Sequence, residues 1–142
     1  MEILNWLIPN RVLYWKLPNG STTNDFHAGL MELQVILEQT EQQIHMVVDA
    51  RMAQSLVGNT TLASRLGVKV AKNPQMGCCF VISHNFMFKH QLNRVTTAFG
   101  THLRYSDSFR NAWQSLHNVD GSLPYVAPNI PVFNQRRIRK YA

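Results

Sequence analysis

Hydrophobic residues recur along this chain with two different periods, and the alternation between them outlines a fold. Two apolar-aromatic runs come first, residues 2–7 (Glu2-Ile3-Leu4-Asn5-Trp6-Leu7) and residues 11–17 (Arg11-Val12-Leu13-Tyr14-Trp15-Lys16-Leu17). Pro9-Asn10 between them is turn chemistry, so the pair reads as a β-hairpin, and Pro18-Asn19-Gly20 ends its second strand. From Thr23 to Gln39 the apolar positions Phe26, Leu30, Leu33, Ile36 and Leu37 fall three or four apart behind capping residues, which predicts an amphipathic helix. Ile44 to Asp49 is short, apolar and rich in β-branched residues, the pattern of a strand covered on both faces. A second helix is expected over 59–66, extending through Val70 toward Asn73-Pro74, and Gly77 to Ser83 is another buried-strand run. Helical spacing returns from Asn85 to Phe99 and stops at Gly100. A short strand at His102 to Tyr105 and a helix carrying Phe109, Ala112, Trp113 and Leu116 complete the series.

The order is therefore β-β-α-β-α-β-α-β-α. Strands alternating with helices over short links require a mostly parallel sheet, because each crossover helix must bury its apolar stripe on that sheet. The expected class is α/β, or α+β if the antiparallel hairpin dominates. Residues 1–120 form this domain. Residues 121–142 differ in texture: Pro124, Pro128 and Pro131, no acidic residue, no helical period, and a basic ending over Arg136, Arg137, Arg139 and Lys140. They read as an extended C-terminal tail.

A length of 142 residues supports one core, and 45% hydrophobic against 15% charged residues is a globular composition. The formal net charge of +6 raises the question of an anionic partner. Four of the fourteen basic residues lie in 136–140, so residues 1–120 hold ten against all eight acidic residues and carry only +2. The charge argument thus belongs to the tail, whose basic residues suit nucleic-acid phosphates, an anionic membrane surface or an acidic partner, or simply form a solvated terminus. The apolar residues between its prolines suit a third role, an arm exchanged within a homodimer. The N-terminal segment lacks a basic region followed by an apolar run, and no apolar stretch approaches the length of a membrane span, so a cytoplasmic protein is expected.

Candidate chemistry is sparse. The six histidines share no metal-ligand spacing with one another or with the cysteines. Cys78 and Cys79 are adjacent in a strand run, where a mutual disulfide would be strained and burial as free thiols is expected. The glycines are too dispersed for a dinucleotide fingerprint or a P-loop, and no GxSxG elbow is present. Asp49 closes a parallel strand at the sheet edge where α/β proteins bind ligands, and it either serves a ligand or caps the following loop. Arg51 and Ser55 in that loop are weak candidates for an anion. Trp6, Tyr14 and Trp15 are either a base-stacking platform or core. No catalytic residue, metal or cofactor is expected from these motifs.

From Arg11 to about Val119, three quarters of the chain, the order of elements resembles the STAS/SpoIIAA-like group of small bacterial domains. The resemblance rests on a hairpin followed by Gly20-Ser21-Thr22-Thr23, a strand ending Val47-Val48-Asp49, Asn73-Pro74-Gln75-Met76-Gly77 before a buried strand, and the closing unit Tyr105 to Leu116. It implies a mixed β-sheet, an N-terminal hairpin plus parallel strands, flanked by about four helices, and a non-enzymatic regulatory role in contact with a protein partner. Family antagonists carry a phosphorylatable serine in an Asp-Ser-Ser/Thr-Gly context after the strand matching 44–49. Here the chain reads Asp49-Ala50-Arg51-Met52-Ala53-Gln54-Ser55, so no serine matches and that switch does not carry over. Two other functions stay open: binding of nucleic acid or anionic lipid through the tail, and a small enzyme or ligand-binding protein centred on the 49–55 loop.

Overall fold

The computed structural model describes residues 4–55 and 58–124. The hairpin pairs β1 (Leu4–Ile8) with β2 (Val12–Lys16), and its turn closes with Arg11 N–H donating to the Ile8 carbonyl at 3.0 Å. Asn10 takes the left-handed conformation there, φ 61°, a position that asparagine tolerates better than most residues. Helix α1 (Thr23–Gln39) leads to β3 (Ile44–Asp49), α2 (Thr61–Lys72) to β4 (Met76–Ile82), and α3 (Phe86–Thr96) to β5 (Leu103–Ser106), before α4 (Phe109–Val119). The five strands lie in sequence order, β1-β2-β3-β4-β5, antiparallel in the hairpin and parallel from β2 onward. This is the mixed α/β architecture expected from the sequence. No helix among the described residues is long and apolar enough to cross a membrane.

Strand order in sequence order has a geometric consequence. Right-handed crossovers that always step the same way along a sheet put their helices on one face. Accordingly Phe26, Leu30, Leu33 and Leu37 of α1, Ala63 and Val70 of α2, and Phe88 and Leu92 of α3 share one core with Leu13, Trp15, Met46, Val48, Cys79 and Val81 of the sheet. The opposite face packs Phe109, Ala112 and Leu116 of α4 against Val12, Tyr14, Val47, Cys78, Phe80 and Ile82. Successive side chains of a strand point to opposite faces, so Cys78 and Cys79 end in different cores, both as free, buried thiols.

Each helix start follows from its local sequence. Thr22 and Asp25 form a reciprocal capping box on α1, and Asn85 and Ser108 cap α3 and α4 through their side chains. Helix α2 differs: Thr60 makes no side-chain cap bond and the first turn holds no acidic residue. Its buried residues are small, Ala63, Gly67 and Val70, and it leans on α1, α3 and the segment after α3 more than on the sheet.

The second helix ends at Lys72, within the extension through Val70 toward Asn73-Pro74 that the sequence suggests. One helix boundary departs from the sequence expectation. The third stops at Thr96, and residues Thr97–His102 continue as 3-10 turns that include Gly100 at φ 54°. The reason lies in the two threonines: Thr96 and Thr97 donate their hydroxyls back to the Leu92 and Asn93 carbonyls at 2.7 and 2.6 Å, competing with the helical ladder before Gly100 is reached. The tail expected over 121–142 is described only to Pro124, and the remainder, with the arm exchange proposed for it, lies outside the described residues.

Helix α1 reaches the sheet through a glycine. A Cβ at Gly29 would stand 2.2 Å from Cζ2 of Trp15, and that ring is fully buried and stacked on Phe26 with centroids 4.7 Å apart. Gly29→Ala therefore sets a helix-propensity gain of about 1 kcal/mol against overpacking of about 1–3 kcal/mol around a ring with nowhere to go. The clash should win and lower the denaturant midpoint. Gly121→Ala, where nothing lies within 4 Å of the added Cβ, should leave the midpoint unchanged in the same assay.

Candidate functional site

The C-terminal ends of the parallel strands gather the residues singled out by sequence. Asp49, the last residue of β3, faces the α4 side and is buried. Tyr14 Oη donates to its Oδ2 at 2.6 Å, Arg51 Nη2 donates to the same oxygen at 2.7 Å, and Arg51 Nε donates to Oδ1 at 2.9 Å. The Arg51 backbone N–H adds a fourth, longer bond to Oδ1 at 3.3 Å. This is the forked guanidinium-carboxylate geometry, closed across a two-residue step. The loop-capping reading of Asp49 is what its contacts match, with both oxygens occupied by donors.

The electrostatics follow from these contacts. Burial alone raises the Asp49 carboxyl, but the Arg51 guanidinium and the Tyr14 hydroxyl together pull it below the ordinary carboxylate value. Tyr14 moves the other way, pushed up by burial and by the carboxylate it serves. Arg51 is raised by its bonds to Asp49. The trio is thus a stable ion pair with a hydroxyl donor. An aromatic ladder supports it: Phe109 meets Tyr14 edge-on at 6.4 Å and stacks on Trp113 at 5.7 Å, and Trp113 meets His117 edge-on at 4.9 Å. Among the described residues Arg51 bonds to Asp49 and makes no bond to Ser55.

A second polar network, unanticipated from sequence, lies about 13 Å up β3 from Asp49 by strand rise. His45 is buried; its Nδ1 accepts from Cys78 N–H at 3.0 Å, which leaves Nε2–H to donate to Asp120 Oδ2 at 2.9 Å. Arg11 joins at 3.1 Å from Asp120 and 2.7 Å from Ser122 Oγ. The Ser122 hydroxyl and amide donate to Asp120 Oδ1 at 2.6 and 3.0 Å, and with His45 they hold the Asp120 carboxyl far below the usual range. Gly77 makes room for the ring, since a Cβ there would be 2.3 Å from Nδ1. The available signal was a lone histidine inside an apolar strand and an Asp just past the last helix. Nothing in their spacing joins positions 75 residues apart.

The remaining candidates resolve by burial. Trp15 and Tyr14 are core residues and Trp6 is packed against the core, so the hairpin aromatics are not a stacking platform. Burial raises both thiols, Cys79 to about 12. Among the described residues no three His, Cys, Asp or Glu side chains are grouped to hold a metal ion. Arg136, Arg137, Arg139 and Lys140 lie outside the described residues. Comparison with protein-family models, with curated proteins and with solved structures gave no match.

Asp49 and Asp120 both ionise more readily in the folded chain than at their ordinary value of 3.8. Their contribution to stability is therefore complete above that value and is lost as the pH falls through it toward the depressed folded values. Asp49→Asn and Asp120→Asn should each lower the urea midpoint at neutral pH and flatten its decline below about pH 4. A variant whose acid limb parallels that of the parent would show that its carboxylate is not stabilised by these partners.

Proposed function

We propose that this chain is a non-enzymatic, STAS-like regulatory or protein-interaction module whose contact surface is the edge formed by the loops after β3 and β4. The observation that carries the reading is the exposure of large apolar side chains there. Phe86 is 84% exposed at the start of α3, Met87 beside it is 59% exposed, and Met52 in the loop after the neighbouring strand is 59% exposed. Phenylalanine and methionine are residue types that protein interfaces favour at their centres. Arg51 borders this edge, and its pairing with Asp49 matches the charge it would otherwise present. An edge that leads with exposed apolar side chains, its Arg51 already paired to Asp49, suits a protein partner better than a polyanion. The order of elements shared with the STAS/SpoIIAA-like group supports the same reading.

A photo-crosslinking residue placed at position 86 in cells should yield a discrete adduct with one partner chain, and the same residue at exposed Glu41 should not. With that partner purified, Phe86→Asp combined with Met87→Lys should weaken binding at least about tenfold, the loss typical of a central interface residue, while the melting temperature stays unchanged. Absence of an adduct specific to position 86, or unchanged affinity in the double variant, would overturn the reading.

A further inference from the structure

Acidic and basic residues are sorted along this chain. Residues 17–49 hold five acidic residues, Asp25, Glu32, Glu38, Glu41 and Asp49, and no Lys or Arg. Residues 50–106 hold seven Lys and Arg and no acidic residue. The near-neutral charge of residues 1–120 is therefore the average of two unlike stretches. The fold sets them side by side, since α1 comes from the first and α2 and α3 from the second. All three helices cover one side of the sheet, and α2 packs on both α1 and α3.

The outer surface of that layer carries the contrast. On α1, Ala28, Met31, Val35 and Glu38 are spaced three, four and three apart, which aligns them along one stripe, and all four are exposed. Met31 and Val35 are large apolar side chains left 53% and 51% exposed. On α2 the exposed stripe is Arg65, Val68, Lys69 and Lys72. One helix thus shows apolar residues with acids and no Lys or Arg, and its neighbour shows an apolar residue among cations. The two helices touch, yet Glu38, Arg65, Lys69 and Lys72 enter no salt bridge among the described residues. A polyanion would engage α2 and leave the exposed Met31 and Val35 without a role. A second copy of the chain brings the counterpart of each stripe.

Crossover helices between parallel strands run in the same direction, and α1 and α2 start side by side, with Asn24 and Leu62 lining one cleft. By helical rise, Asp25, Met31 and Glu38 fall about 3, 12 and 22 Å along α1, and Arg65, Val68 and Lys72 about 6, 10 and 16 Å along α2. The order acid, apolar, acid thus runs beside the order cation, apolar, cation. A two-fold axis parallel to the helices, between α1 and α2, keeps these depths and lays α1 of each copy on α2 of the other. Both contacts are then made at once and the assembly closes at two. We propose that the chain forms a homodimer through the outer faces of α1 and α2, Met31 and Val35 of one copy covering Val68 of the other and Glu38 meeting Lys69 and Lys72. Apolar burial supplies the affinity of such a contact and the charges its register. The interface uses none of Phe86, Met87 and Met52, so it and the partner-binding edge can fail separately.

Sedimentation velocity of the full chain, up to millimolar concentration and at about 10 mM and about 1 M sodium chloride, where the screening length falls from about 30 Å to about 3 Å, tests it. A monomer-dimer equilibrium is expected at low salt, weakened at high salt. Val35→Lys with Glu38→Lys sets cations against cations, and Lys69→Glu with Lys72→Glu sets acids against acids. Each double variant alone should dimerise at least about tenfold more weakly than the parent. All four positions are exposed, so the core is untouched. An equimolar mixture of the two variants should regain the dimer, because the mixed pair meets opposite charge at both contacts, a recovery that an unfolded variant cannot give. A parent chain that stays monomeric at low salt overturns the proposal, including where its α2 cations bind a labelled oligonucleotide or phosphatidylserine vesicles instead. So does a dimer that both double variants leave intact, or a mixture of the two folded variants that stays monomeric.

Discussion

The handedness of the crossover connections governs this molecule. With strands laid down in sequence order, three successive right-handed crossovers must deliver α1, α2 and α3 to one side of the sheet. The packing on that side of the sheet accommodates this crowding. Helix α1 approaches Trp15 through Gly29, because two elements must share space above the hairpin. Helix α2, with small residues on its buried side, rests on its neighbours more than on strands. The opposite face is left to α4, whose Phe109 and Trp113 extend its eleven residues sideways over Tyr14 and the end of β3.

The same asymmetry separates the polar groups. Asp49 and His45 lie on one strand and face the same side, toward α4; Asp49 accepts from Arg51 and Tyr14, and His45 accepts from the Cys78 amide and donates to Asp120. These are short, complete networks, the condition under which buried polar groups specify one arrangement instead of weakening it. At the edge beyond Asp49, the paired Arg51 lies near exposed apolar side chains. The start of α2, on the crowded side, is the reverse case: Thr60 makes no side-chain cap bond, and the Asn59 side chain accepts only the Thr61 amide.

How much of this was legible in the sequence depended on whether the signal was local. The strands over 44–49 and 76–82 are apolar on both faces and announce themselves, as do the 3- and 4-residue spacing of α1 and its capping residues. Asp49 was recognisable as a strand-ending carboxylate, and its bond to the loop two residues on is a local motif. The aromatic identity of Tyr14 gave no hint that its hydroxyl would meet that carboxylate, since the meeting is set by β2 and β3 register. The early end of α3 turned on two threonine hydroxyls, a competition that apolar spacing does not register. Asp120 and Gly29 were silent for one shared reason: their roles exist only where elements distant in sequence come together.

Cys78 and Cys79 carry a consequence of the two-layer build. One peptide bond apart, they occupy the two separate cores, so each thiol becomes accessible only when the layer on its own side of the sheet opens. A chain in which the helical layers detach independently would pass through molecules bearing one reacted sulfur, whereas a chain that opens as a unit would gain both together. The pair is in effect a built-in coincidence counter, reporting whether the two sides of the sheet belong to one cooperative unit or to two.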